Sequence, residues 1–99
     1  MITPQIVEEF KERMRITHSI EDDNLQRLLS SSYEAIKRDC GSFDITTNAM
    51  GRELVFERTR YAYNDALEFF QTNFLSEIHS FGFSLLPDLP EEGDSVDKV

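Results

Sequence analysis

Two histidines, one cysteine and a short acidic run are the residues whose types invite a chemical reading. His18 and His79 lie far apart, and neither has a cysteine or second histidine at metal-ligand spacing. They read as helix-flanking polar residues, and no metal site is expected. Cys40 sits beside Gly41, with Lys37 and Arg38 close enough to lower a thiol pKa. A catalytic thiol also needs a base, and no histidine is spaced to serve. A small buried residue at a helix end is the simpler account. The "EDDN" run, Glu21 to Asn24, lacks the alternating oxygen ligands and central glycine of a calcium loop. Acidic charge at the start of a helix explains it better. With no glycine-rich phosphate loop, nucleophile elbow or basic stripe, the chain reads as no enzyme, with no cofactor.

The remaining candidates are surface residues in "FERTRYAYNDALEFF". Tyr61 and Tyr63 are two positions apart and cannot share one helical face, and an Asn64-Asp65 pair follows them. At about 100° per residue, Val55, Phe56, Thr59, Ala62, Tyr63, Ala66, Phe70 and Phe74 fall on one side. Glu57, Tyr61, Asn64, Asp65, Glu68 and Thr72 fall on the other, with Leu54 and Phe69 at flanking angles. A tyrosine among polar groups suits an interface, where the ring is buried and the hydroxyl stays wet. Glu57, Arg58, Tyr61, Asn64, Asp65 and Glu68 are therefore the candidate subunit contacts. Neighbouring copies would pair Arg58 or Arg60 with Asp65 or Glu68.

The elements that must position these residues are helices. Thr3 caps and Pro4 opens a first helix over 4–14, with Ile6, Val7, Phe10 and Met14 on one side. A second helix, capped by Thr17 or Ser19, ends at Cys40 with Gly41 just beyond. Leu25, Leu28, Leu29, Ser32, Ile36 and Cys40 share its inner face, with Tyr33 and Ala35 at the edges. The stretch 41–51 has no helical period and reads as a loop that turns Phe43 or Ile45 into the core. From Arg52 to Asn73 runs the longest helix, roughly 33 Å. "FLSEIHSFGFSLL" continues it or forms a short fourth helix before Gly82. The expected fold is a small all-α bundle of three to four helices over 1–86, with a long third helix.

The segment 87–99 holds five acids against one lysine and two prolines, and is expected to be a disordered acidic tail. It carries −4 of the chain's net −9 charge. Such acidity argues against a surface held to nucleic acid by phosphate neutralisation. One cysteine permits no internal disulfide and fits a reducing compartment. No signal-like segment opens the chain and no apolar run is long enough for a membrane, so a cytosolic origin is expected.

Taken together, "EDDNLQRLL", "YEAIKRDCG" and above all "FERTRYAYNDALEFFQTNFLSEI" resemble the head–tail connector, or head-completion, proteins of tailed bacteriophages. The resemblance spans about residues 2–81. It implies a structural virion protein that forms a homo-oligomeric ring, of dodecamer type, under the portal protein after DNA packaging. The ring would extend the DNA channel and dock the stopper or tail-completion protein. DNA would pass through its lumen without specific binding, and a free subunit would be monomeric. The place implied is the head–tail interface of a phage or prophage particle, with assembly in the host cytoplasm. The loop 42–50 and the tail 87–99 become candidate contacts to portal and tail. The alternative reading is a small acidic helical binding module, a phage- or host-encoded inhibitor or DNA mimic. A helix-turn-helix regulator would need a basic or amide-rich recognition helix, and none is evident.

Overall fold

The computed structural model describes residues 1–87 and is all-helical over them. Its helices are α1 (Pro4–Met14), α2 (Asp22–Cys40), α3 (Ala49–Tyr63), α4 (Phe70–Asn73) and α5 (Leu75–Ser84), with a 3-10 turn at Leu67–Phe69 before α4. Four of these have ten or more residues, and α4 is a single turn. The expected acidic tail lies, apart from Pro87, outside the described residues.

The first helix has the expected bounds. Thr3 Oγ1 accepts from the Ile6 amide at 3.2 Å, and Pro4 occupies the first turn, where its missing N–H costs nothing. At the other end Arg15 adopts φ 61°. Its amide donates to Glu12 O, and that of Ile16 to Lys11 O. This pair of bonds satisfies the last carbonyls of the helix and turns the chain sharply.

The second helix starts later than expected, at Asp22, and neither Thr17 nor Ser19 caps it with its side chain. Glu21 stands at the N-cap position, and the Ser19 carbonyl accepts from the Asp22 amide at 3.2 Å. Asp22 also receives Lys11 Nζ at 2.8 Å, and Lys11 is a buried base held between Asp22 and Glu8. The expected glycine stop holds. Gly41 has φ 120°, a conformation costly for any residue with a Cβ, and its amide closes on Lys37 O.

α2 is the central element and packs against α1, α3 and α5. Phe10, Leu25, Leu29, Ile36, Val55 and Phe81 are almost fully buried at this junction. Leu54, expected at a helix edge, is buried as well, because α3 is covered by α2, α5 and the preceding loop. Phe10 meets Phe56 edge to face at 5.6 Å.

The loop after α2 enters the core as expected, with Ile45 fully buried and Phe43 packed against its edge. Tyr33 pins it: its hydroxyl donates to Phe43 O at 2.6 Å and accepts from the Ile45 amide at 3.3 Å. Asp44 adds an Asx turn onto Thr46, which holds its carboxyl below the ordinary aspartate value. The loop is shorter than expected, since Asn48 caps α3 by accepting from the Gly51 amide at 3.0 Å. Gly51 therefore lies inside the helix, where it lets Phe43 and Phe81 approach the backbone.

The single helix expected over 52–73 is divided. α3 stops at Tyr63, and Asp65 takes a left-handed φ of 57°. The Asp65 amide donates to Ala62 O and the Ala66 amide to Tyr61 O at 2.8 Å. Asn64 caps the same end through its side chain on Arg60 O at 2.9 Å. This is the stop seen after α1, with Asp where glycine is commonest. The Asn-Asp pair is a helix terminator, not the polar face of a continuing helix. Asp65→Gly should therefore be neutral or stabilising by about 0.5 kcal/mol, and Asp65→Val destabilising by about 1–2 kcal/mol. Thermal melts of the two variants check this; in an unbroken helix the glycine would cost about 1 kcal/mol.

α5 also departs from expectation by running through Gly82 instead of stopping before it. A Cβ at Gly82 would stand 3.6 Å from Cys40 Cα, so α5 and the end of α2 lie almost backbone to backbone.

Candidate interaction surface

The break after Tyr63 scatters the six candidate contact residues. Glu57 does not face solvent freely. Its side chain is only 12% exposed and receives Arg13 at 2.8 Å and Arg60 at 2.6 Å. Tyr61 is turned inward by comparison with expectation: its ring meets Phe70 at 5.7 Å and Phe74 at 5.6 Å, both edge to face. Phe70 and Phe74 stack at 4.9 Å, and Asn73 Nδ2 donates to the Tyr61 hydroxyl at 3.1 Å. Asn64 and Asp65 form the stop already described. Glu68, in the 3-10 turn, and Asp65, whose backbone alone makes the stop, are exposed side chains with no partner among the described residues. Four of the core-side residues, Val55, Phe56, Thr59 and Phe70, are buried as expected, while Ala62, Tyr63, Ala66 and Phe74 are half-buried.

Arg13 is the hub of an ion cluster that joins α1 to α3. Its guanidinium meets Glu53 through both nitrogens and Glu57 through one, and lies 5.7 Å over the Phe56 ring. The hydrogen bond from Arg13 is the main cause that depresses the Glu53 carboxyl; partial burial opposes it, and the positive charges of Arg13 and Arg52 add to it. A carboxyl with a depressed folded pKa adds stability above its unfolded value near 4.5. That stability is lost as pH falls through the lower folded value. Arg13→Gln should therefore flatten the acid side of a stability–pH profile, at a cost below about 1 kcal/mol at neutral pH because the pair is half-exposed. Urea melts across the acid range measure it.

Arg58 stands apart from this cluster. It is half-buried and donates to the buried Ser32 Oγ at 3.2 Å, yet no carboxylate among the described residues pairs with it. Desolvation lowers its pKa first, and the nearby positive charge of Arg38 lowers it further, with Asp39 acting in the opposite direction. Arg38 itself holds Asp39 at 3.3 Å.

Next to these residues runs a groove of about 530 Å³ between the end of α2 and α5. Cys40, Ile78 and Gly82 line it together with Phe83, Leu86 and the polar Asp39 and His79. Phe83 is 78% exposed and Leu86 59%. Lys37 and Arg38, though near in sequence, do not lower the Cys40 pKa, in keeping with a packing residue at a helix end. Burial pushes the thiol up, the charge of Asp39 adds to this, and Cys40 Sγ donates to Ile78 O at 3.4 Å. It is a packing residue at the edge of an apolar groove.

A second exposed apolar feature is the Leu67–Phe69 turn, which buries none of its residues and shows Phe69 at 57% exposure. No site was expected at "FGFSLL", although its excess of apolar residues over one helix face was the available signal. Both histidines are exposed. Among the described residues no group of three His, Cys, Asp or Glu side chains is placed to hold a metal, and no helix is long and apolar enough to cross a membrane. Set against known protein families, curated proteins and solved structures, the chain matches none.

Proposed function

We propose that this chain is a structural assembly subunit, a head–tail connector of the tailed-phage type that its sequence resembles. The observation that carries the reading is the apolar surface left uncovered along the Leu67–Phe69 turn and α5. Leu67, Phe69, Leu75, Phe83 and Leu86 are all exposed over this stretch of a net-acidic chain, against Met1, Ile20 and Met50 in the rest of it. Exposed apolar residues concentrated in one stretch of the chain support a protein–protein contact there. In a ring under the portal, such patches would bind neighbouring subunits and the stopper or tail component. The net charge of −9 then has a physical role, since a negative lumen repels phosphate and lets DNA slide. The rival reading, a mimic of DNA, asks for arrayed free carboxylates. Glu9, Asp22, Glu53 and Glu57 are instead paired with Arg52, Lys11 and Arg13, which weakens it.

Purified protein mixed with DNA-filled, tailless heads tests the proposal. Heads should retain the protein and become competent to join tails. Heads that do neither refute the connector reading.

A further inference from the structure

Of the four long helices α1 is the least tied in. α2, α3 and α5 pack closely on one another, whereas α1 packs closely on α2 alone. It reaches α3 through side chains, with Phe10 on Phe56 and Arg13 on Glu53 and Glu57. Its ion pairs to other helices are Lys11 to Asp22, Arg13 to Glu53 and Glu57, and Glu9 to Arg52.

The hinge that follows α1 is short and strained. Residues 15–21 join α1 to α2, and Arg15 holds a left-handed φ of 61°, which costs a residue with a Cβ. Thr17, His18, Ser19 and Ile20 are exposed, Ile20 at 89%. The Tyr63 hydroxyl on Glu21 at 3.0 Å and the half-buried Ile16 hold the hinge to the body. A short strained hinge favours passing the element it carries to a second copy. The strain is released when the hinge opens, and the contacts of the seat are all regained.

The seat itself specifies its occupant. An arm that enters it must bring a base for Asp22 at the buried position of Lys11, a guanidinium for Glu53 and Glu57, and a ring to meet Phe56. A buried ammonium without a carboxylate is unfavourable, so α1 in turn needs an acid where Asp22 stands. A second copy offers all of these in the same places.

We infer that α1 is an exchangeable arm that leaves its own bundle and takes the same seat on α2 and α3 of a second copy of this chain. Arg15 then leaves the left-handed region, and residues 15–21, which reach roughly 25 Å when extended, bridge the two bodies. The inference goes beyond the connector reading and does not rest on it.

The Lys11–Asp22 pair, 2.8 Å apart, makes the exchange measurable, since a carbodiimide joins an amine to a carboxylate that it already touches. Ordinary and nitrogen-15-labelled chains are mixed in equal amounts, held concentrated in urea below the unfolding midpoint, returned to buffer and sized. Species larger than a monomer are then cross-linked and digested. Within one chain the linked Lys11 and Asp22 peptides carry the same label. With exchanged arms, half of the linked pairs should carry one of each. Arg15→Val, which resists left-handed backbone, should raise the share of larger species several-fold, and Arg15→Gly, which adopts it freely, should lower it. Links that join only like-labelled peptides overturn the inference, as do native and Arg15→Val chains that both stay monomeric. A share of larger species that neither substitution moves overturns it too, whether or not the link forms.

Discussion

Gly51→Ala should destabilise the protein by about 2 kcal/mol and lower its melting temperature by roughly 8–16 °C. The direction is opposite to that of an exposed helix position, where the same change would gain about 1 kcal/mol. The reason is space. A Cβ at Gly51 would fall on the edge of the Phe43 ring and lie 2.8 Å from Phe81 Cζ. Phe81 is fully buried and cannot yield. Phe43 meets Phe81 at 4.9 Å and Tyr33 at 5.1 Å, and its backbone carbonyl is held by the Tyr33 hydroxyl. Its ring can move only by leaving this edge-to-face array, which gives up aromatic contact worth about 0.5–1.5 kcal/mol per pair along with buried area. The check is a double-mutant cycle of Gly51→Ala with Phe43→Leu. A smaller ring-free side chain should absorb the methyl, so the double variant should lose less than the sum of the two single losses. Strict additivity would mean that Phe43 does not limit the site.

The Gly51 site also shows where sequence pattern ceases to inform. Read along the chain, Gly41 and Gly51 look like the two ends of a loop, and only the first is one. Gly41 ends a helix through a left-handed φ, a local need that neighbouring residues announce. Gly51 answers a long-range need, room for two rings from the preceding loop and from α5, and nothing next to it in the chain announces that. The same division holds elsewhere. The amphipathic faces of α1 and α2 were legible because their apolar spacing is local, and Phe10, Leu25, Leu29 and Ile36 are buried as expected. The helix start at Asp22 was not, since Asp22 is fixed partly by Lys11 from another helix. The stop at Asn64-Asp65 was legible in principle. Asn and Asp are, after glycine, the residues most tolerant of left-handed backbone, and they stand together at the place where the helix ends. A strong apolar period on both sides of the pair outweighed that signal. The interaction surface was the least legible part, because its groove is made by the close approach of α2 and α5.

Tyr61→Ala should cost about 2–3 kcal/mol, enough to lower the melting temperature by roughly 10 °C or more. As an outward residue on a continuous helix, Tyr61 would have tolerated the change with only assembly weakened. The break at Asn64 reverses that expectation. Because α3 stops there, the chain folds back and brings Phe70 and Phe74 onto Tyr61, so the ring is the anchor that holds α4 to α3. Its half-buried position keeps the cost below that of a fully buried ring. The Arg60 guanidinium at 5.2 Å and the Asn73 amide on the hydroxyl add smaller contributions. Tyr61→Phe should therefore lose less than about 1 kcal/mol, since it keeps the ring and gives up one exposed hydrogen bond. The Leu67–Phe69 turn lies between α3 and α4, so losing the anchor also loosens this turn. Tyr61→Ala should thus lower the melting temperature, whereas Glu68→Gln, at an exposed side chain without a partner among the described residues, should leave it unchanged. Unchanged melting of Tyr61→Ala would return Tyr61 to the surface and remove the basis for reading the Asn-Asp pair as the point where the chain turns back.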